Sequence, residues 1–307
     1  MTVGSGRVKG LLLQKDTTPD IAAGTSPPPD PILAMDGPVL FFGGCYSNLE
    51  ATVALQREAA RLGIRPGNIV CTGDVVAYCA DPVATVAAIR DWGISVIMGN
   101  CEESLGWNKD DCGCGFEEGT ECQQLSVDWY AYANAELGAE QRTWMRSLPR
   151  RLDVTIGNRR LAVIHGSVES INGFVFASTP WADKERQIAK SGCHGVIGGH
   201  SGIPFNHAAG GKLWHNSGAL GMPANDGTSR VWYSLFVPNG HDIEIRLMSL
   251  QYDAGAAACK MRERGLPPGY AEALETGLWP SCDVLPAAEL TGRGDALAPD
   301  GLLWDIG

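Results

Sequence analysis

Two short apolar runs carry the clearest chemistry in this chain. Ile69–Cys71 leads into Gly73-Asp74, and Ile94–Met98 leads into Gly99-Asn100. Both runs are short, β-branched and closed by glycine, as strands buried in a parallel sheet are. Pro82 to about Arg90, between them, reads as the helix of a crossover. Each glycine frees the backbone, and a residue with a cation-binding oxygen follows it. In α/β sheets ligands gather beyond the carboxyl ends of the strands. Asp74 and Asn100 should therefore meet at one end of a sheet, where a metal site would be built.

The surrounding elements must hold that end in place. Pro38–Phe42 reads as the first core strand. Ser47 is expected to cap a helix reaching about Leu62, with Asn48 and Glu50 in its first turn. Gln123 to about Leu148 reads as helical. Leu152–Ile156 and Arg159–Ile164 form a hairpin across Gly157-Asn158 and end at His165. A helix over about Trp181–Lys190 and a strand Gly195–Ile197 lead to Gly198-Gly199-His200. Antiparallel strands are expected around Lys212–Asn216, Arg230–Pro238 and Asp242–Leu250, then helices over Ala254–Arg264 and Gly269–Thr276. The pattern predicts an α/β fold with two facing sheets flanked by helices, a four-layer αββα sandwich. Residues 1–36 read as a Pro-rich arm, 37–253 as the main domain, and 254–307 as an extension beside the site entrance.

An insertion at 104–124 follows the Gly99-Asn100 turn and is expected to act as a lid. It carries Cys112, Cys114 and Cys122, which are open to metal binding, pairing or a free state. The chain has ten cysteines; Cys71, Cys79 and Cys193 lie in or beside apolar runs and read as small buried hydrophobes. Net charge is −11, with 35 acidic against 24 basic residues, which argues against nucleic-acid or anionic-membrane partners. No apolar run reaches the roughly 18 residues of a membrane span, and the N-terminus lacks a signal-peptide core. A cytoplasmic location is expected; no oligomeric state follows from the pattern.

In the order of its motifs the chain resembles the calcineurin-like metallophosphoesterase superfamily, in particular its small bacterial phosphatase and phosphodiesterase branch. The family carries Asp-x-His, Gly-Asp, Gly-Asn-His-Asp/Glu, a lone His and Gly-His-x-His. The corresponding stretches here are Gly44-Cys45-Tyr46, Gly73-Asp74, Gly99-Asn100-Cys101-Glu102, Ile164-His165-Gly166-Ser167 and Gly199-His200-Ser201-Gly202. The resemblance runs from about Pro38 to Asp253 and implies the sandwich fold. It also sorts the ligands. The family's first metal site would find Gly44, Tyr46 and Gly202 where three ligands belong, with only the bridging Asp74 left. The second site would keep Asp74, Asn100, His165 and His200. Random decay would have damaged both sets. The implied cofactor is one divalent metal ion, with Fe, Mn and Zn all suited to two imidazoles and a carboxylate.

On that basis the leading expectation is a mononuclear metal-dependent hydrolase of phosphate esters. Cys101, which stands where the family has a catalytic histidine, and Tyr46 are its candidate catalytic residues. Asn216, His207 and His215 are candidates for substrate contact. An alternative is a non-haem iron redox enzyme on the same scaffold, using Cys101 beside the ion. A third is a non-catalytic metal or ligand sensor, or a partner subunit. The expected substrate is a small molecule, phosphorylated or thiol-bearing.

Overall fold

The computed structural model describes Met1, residues 32–298 and residues 301–305. Strand β1 (Ile32–Met35) is followed by β2 (Val39–Phe42), and β2 shows how the layers are organised. All four β2 residues are buried, yet they alternate between two cores. Val39 and Phe41 pack between the sheets, whereas Leu40 and Phe42 pack under helices. A strand without a polar face belongs in the middle of a covered sheet.

From β2 the chain passes through α1 (Leu49–Arg61), β3 (Ile69–Cys71), α2 (Pro82–Trp92) and β4 (Ser95–Val96), with β2, β3 and β4 parallel neighbours. Helices α3 (Asn100–Gly106), α4 (Glu121–Glu136) and α5 (Ala139–Ser147) come next. The hairpin β5 (Arg151–Ile156) and β6 (Arg159–Ile164) opens the other sheet. Helix α6 (Trp181–Ser191), β7 (Gly195–Gly198), β8 (Phe205–Ala209) and β9 (Lys212–Asn216) continue it, and β10 (Val231–Asn239) and β11 (Asp242–Leu250) return to the first. Helices α7 (Ala254–Glu263), α8 (Pro268–Thr276) and α9 (Ala287–Leu290) precede β12 (Gly301–Trp304). The two sheets run β1-β5-β6-β7-β9-β8 and β12-β11-β10-β2-β3-β4. One core, around Leu40, Leu55, Val86, Trp129 and Leu274, lies under α1, α2, α4, α7 and α8. A second, with Phe41, Val154, Ile197 and Phe236, fills the space between the sheets. A third, with Ile188 and Trp214, lies under α6. This is the four-layer αββα sandwich. Among the described residues no helix is long and apolar enough to cross a membrane.

Several elements differ from the sequence reading. The end of the supposed arm is β1, which pairs in parallel with β5; the rest of it, residues 2–31 with the TSPPPDP run, lies outside the described residues. Only Met35 of β1 is buried, so this edge strand carries little hydrophobic pattern. Asn48, not Ser47, caps α1, its Oδ1 accepting from the N–H of Ala51 at 3.1 Å. The long helix breaks into α4 and α5 at Gly138, whose N–H is held by Gln141 Oε1. Strand β8, FNHAA, escapes notice because only Phe205 is fully buried. The tail ends in β12, paired antiparallel with β11, with Trp304 buried between the sheets.

Candidate metal centre

Four loops at the carboxyl ends of β3, β4, β6 and β7 converge on one point. Gly73, at φ +93°, turns the chain so that Asp74 projects beyond β3. A Cβ on Gly99 would lie 2.1 Å from Asp74 Oδ1, so only glycine lets the two loops touch. The Asp74 carboxylate accepts from the N–H of Cys101 through Oδ1 at 3.0 Å, and its Oδ2 lies 3.2 Å from His165 Nε2. The same His165 Nε2 is 3.0 Å from Asn100 Oδ1 and 3.1 Å from His200 Nδ1.

The outer contacts decide which atoms face inward. His165 Nδ1 lies 2.7 Å from the Thr72 carbonyl, which can only accept, so Nδ1 carries the proton and Nε2 offers its lone pair. His200 Nε2 sits 3.2 Å from the Cys114 carbonyl, which turns the Nδ1 lone pair inward by the same logic. Asn100 Nδ2 donates to the Cys112 carbonyl at 3.0 Å, which aims Oδ1 at the centre. The four inward atoms are thus acceptors. Such a cluster is repulsive unless a proton or a cation occupies its middle, and a carbonyl bonded to the far nitrogen is the usual orienting contact for a ligating imidazole. The chain's own charges show the same demand. Burial alone would raise the Asp74 carboxyl, but His165 and His200 hold it below the ordinary range. Burial would lower His165, yet Asp74 keeps it raised. His200 is pushed down to about 3 by burial and by His165. The residues fit a divalent cation.

Glu102, not singled out as a site residue, fixes this geometry. Fully buried, it accepts from the N–H groups of Asp74 (2.7 Å), Val75 (2.8 Å) and Gly99 (2.9 Å), tying the two ligand loops together. The carbonyls of Cys112 and Cys114 are the other contributors that the sequence hides, because a residue type says nothing of where its backbone points. Cys112 and Cys114 are joined by a disulfide, and Cys122 is a buried free thiol 3.3 Å from Ser281 Oγ.

The opposite side of Asp74 is built differently. Tyr46, at φ +50°, lays its ring over Gly44; a Cβ at position 44 would lie 2.3 Å from that ring. Gly202, at φ +69°, faces the indole of Trp279 from the C-terminal extension. From here opens a cleft lined by Asp74, His200, Cys114, Phe116 and residues of the extension. Insertion and extension are clamped together above it: Asp283 Oδ2 accepts from the N–H of Glu121 at 2.9 Å.

Tyr46 lines the cleft, but the other catalytic and substrate-contact expectations need correction. Cys101 is 1% exposed and does not line the cleft; burial, Asp74 and Glu102 raise its thiol pKa. Asn216 is buried, donating to the Gly199 carbonyl at 3.3 Å and to Ser201 Oγ at 2.8 Å and accepting from the N–H of Gly218 at 2.8 Å, so it props a loop. His207 stacks on Trp181 on the outer face of its sheet, 3.1 Å from Lys184 Nζ. His215 lies against Phe236 between the sheets, with both ring nitrogens bonded to Asn206, Ser217 and Ser234.

A family model for the calcineurin-like phosphoesterase superfamily domain matches residues 48–235, more than half of the 307-residue chain. The chain belongs to the calcineurin-like phosphoesterase superfamily. It is 24% identical over 247 residues to the uncharacterized protein MJ0912 of Methanocaldococcus jannaschii, covering 76% of this chain and 95% of that one. Its fold is shared by the hypothetical protein PH1004 of Pyrococcus horikoshii (TM-score 0.67, 17% identity, 79% of this chain and 99% of that one). A metallophosphoesterase from Sphaerobacter thermophilus is similar too (TM-score 0.61, 20% identity, 80% and 100%).

Proposed function

We propose that this superfamily member is a phosphoesterase working with one divalent cation, held by Asp74, Asn100, His165 and His200. The observation that carries this reading is the convergence of four acceptor atoms whose donors are all engaged elsewhere. A bound ion would polarise a phosphoryl oxygen and lower the pKa of a water. The chain's own residues do the rest. Asp74 and Asn100 are held by the Glu102 and Cys112 contacts, so the ligands need no rearrangement. Tyr46 replaces a second cation with a neutral group. Burial and then Asp74 keep its phenol pKa well above the ordinary value, so the hydroxyl stays protonated and donates to a phosphoryl oxygen. The ring excludes water from the space over Gly44.

The test is hydrolysis of a chromogenic phosphodiester by protein loaded with Mn, Zn or, without oxygen, Fe. Turnover that disappears in Asp74→Asn is expected; no turnover with any of the three would sink the reading. A second reading, a mononuclear iron redox enzyme, is favoured by the two-histidine, one-carboxylate group Asp74, His165 and His200 beside an aromatic cleft. Oxygen consumption by iron-loaded protein in place of hydrolysis would establish it.

A further inference from the structure

Among the described residues, the cleft beside Asp74, Asn100, His165 and His200 is aromatic and carries no lysine or arginine on its walls. Tyr46, Tyr78, Phe116, Phe174, Tyr270 and Trp279 stand on its walls, and Asp74 is the only acidic side chain among the described residues that line it. The hydroxyls of Tyr46, Tyr78 and Tyr270 face no hydrogen-bond partner among the described residues, although the rings pack on one another at centroid distances of 4.7–4.9 Å. The far wall is rigid. Trp279 donates from Nε1 to the Pro223 carbonyl at 2.7 Å and from its N–H to Asn225 Oδ1 at 2.8 Å.

We propose that this cleft selects a monoanionic phosphodiester with a flat apolar ester arm and rejects phosphomonoester dianions. The proposal rests on the single-cation phosphoesterase reading. The argument is one of charge. Two neutral imidazoles and an amide add nothing, so among the side chains that line the cleft a divalent ion against Asp74 leaves one positive charge; the buried Glu102 lies outside that lining, its carboxylate taken up by the N–H groups of Asp74, Val75 and Gly99. A diester monoanion neutralises it. A monoester dianion leaves a net negative charge in an apolar cleft with no cationic side chain to take it. The free phenols suit such a ligand, because each donates one hydrogen bond to a phosphoryl oxygen without adding charge. The arm finds Trp279 and Tyr270, two aromatic faces fixed in advance. In the reaction the water oxygen bonds to phosphorus as the phosphorus–oxygen bond to the arm breaks. One water proton ends on the departing alcohol and the other leaves to solvent. The second product, a monoester dianion, is the species the cleft disfavours, so hydrolysis stops there.

Calorimetric titration of Mn-loaded protein at pH 8, with diphenyl phosphate and with phenyl phosphate, tests the proposal without relying on turnover. Diphenyl phosphate is expected to bind at least about tenfold more tightly. Trp279→Phe and Tyr270→Phe, chosen to preserve packing, should each weaken the diester by roughly threefold to tenfold. Equal or tighter binding of phenyl phosphate, binding of neither, or indifference of the diester to both substitutions would overturn it. The hydrolytic reading fails separately. Selective diester binding without turnover removes the hydrolase and keeps the selectivity, whereas equal turnover of both esters does the reverse.

Discussion

The two sides of Asp74 are built from the same loops and have opposite characters. On one side Asn100, His165 and His200 present lone pairs to a common point, and carbonyls of Thr72, Cys112 and Cys114 lock them there. On the other, Gly44 and Gly202 present no side chain, and the rings of Tyr46 and Trp279 take the space. The difference teaches that the second side is a filled volume with its own packing. A carboxylate cannot simply be put back at position 44, because the tyrosine ring is already there.

The largest expected effect falls on the polar side. Asp74→Asn removes the only fixed negative charge from the ligand set, and affinity for Mn²⁺ should fall by at least about a hundredfold by calorimetry. The aromatic side should break by overpacking. Gly44→Asp is expected to cost about 2–4 kcal/mol in denaturant unfolding, and adding Tyr46→His should recover most of it by freeing the volume. If the two changes are additive, the ring is not what fills the space. Tyr46→Phe, which keeps the packing and removes the donor, should lower kcat by about tenfold to a hundredfold with metal content unchanged. Gly113 lies between the two orienting carbonyls at φ +63°, with Ser104 Oγ 2.8 Å from where a Cβ would be. Gly113→Ala should move that loop and weaken ion binding by about tenfold.

The smallest effect is a slope. His165 is raised above its ordinary value of 6.5 in the free protein, its proton bridging toward Asp74, so cation and proton compete for the same nitrogen. Ion affinity should be flat above that raised pKa and fall about tenfold per pH unit below it. A flat profile down to pH 5 would mean that His165 is not a ligand.

Much of this was legible in the sequence. The glycine-bounded runs at Ile69–Cys71 and Ile94–Met98 located the loops on which Asp74 and Asn100 meet, and the order of motifs identified the sandwich. The edges of the sheets were not legible. Strands β1 and β12 lie at sheet edges beside Pro- and Gly-rich chain and bury one residue each, Met35 and Trp304, too little for a period-two signal. The histidines show the second limit. His165 and His215 are both buried beyond reach of solvent, and their local sequence contexts do not separate them. His215 has acceptors and hydroxyls on both nitrogens and is satisfied without a cation, whereas His165 Nε2 meets acceptors alone. Only the partners tell them apart. That Cys101 lies off the cleft was hidden for a related reason. Position within a motif does not fix the direction of a side chain at the first turn of a short helix, and its thiol packs inward.

The central claim is that one side of Asp74 holds a cation and the other holds aromatic rings. Anomalous diffraction from crystals saturated with Mn²⁺ tests it most directly. One peak per chain is expected, within bonding distance of Asp74, Asn100, His165 and His200, with the Tyr46 ring still over Gly44. A second peak on the Tyr46 side, or none among the four ligands, would contradict the account.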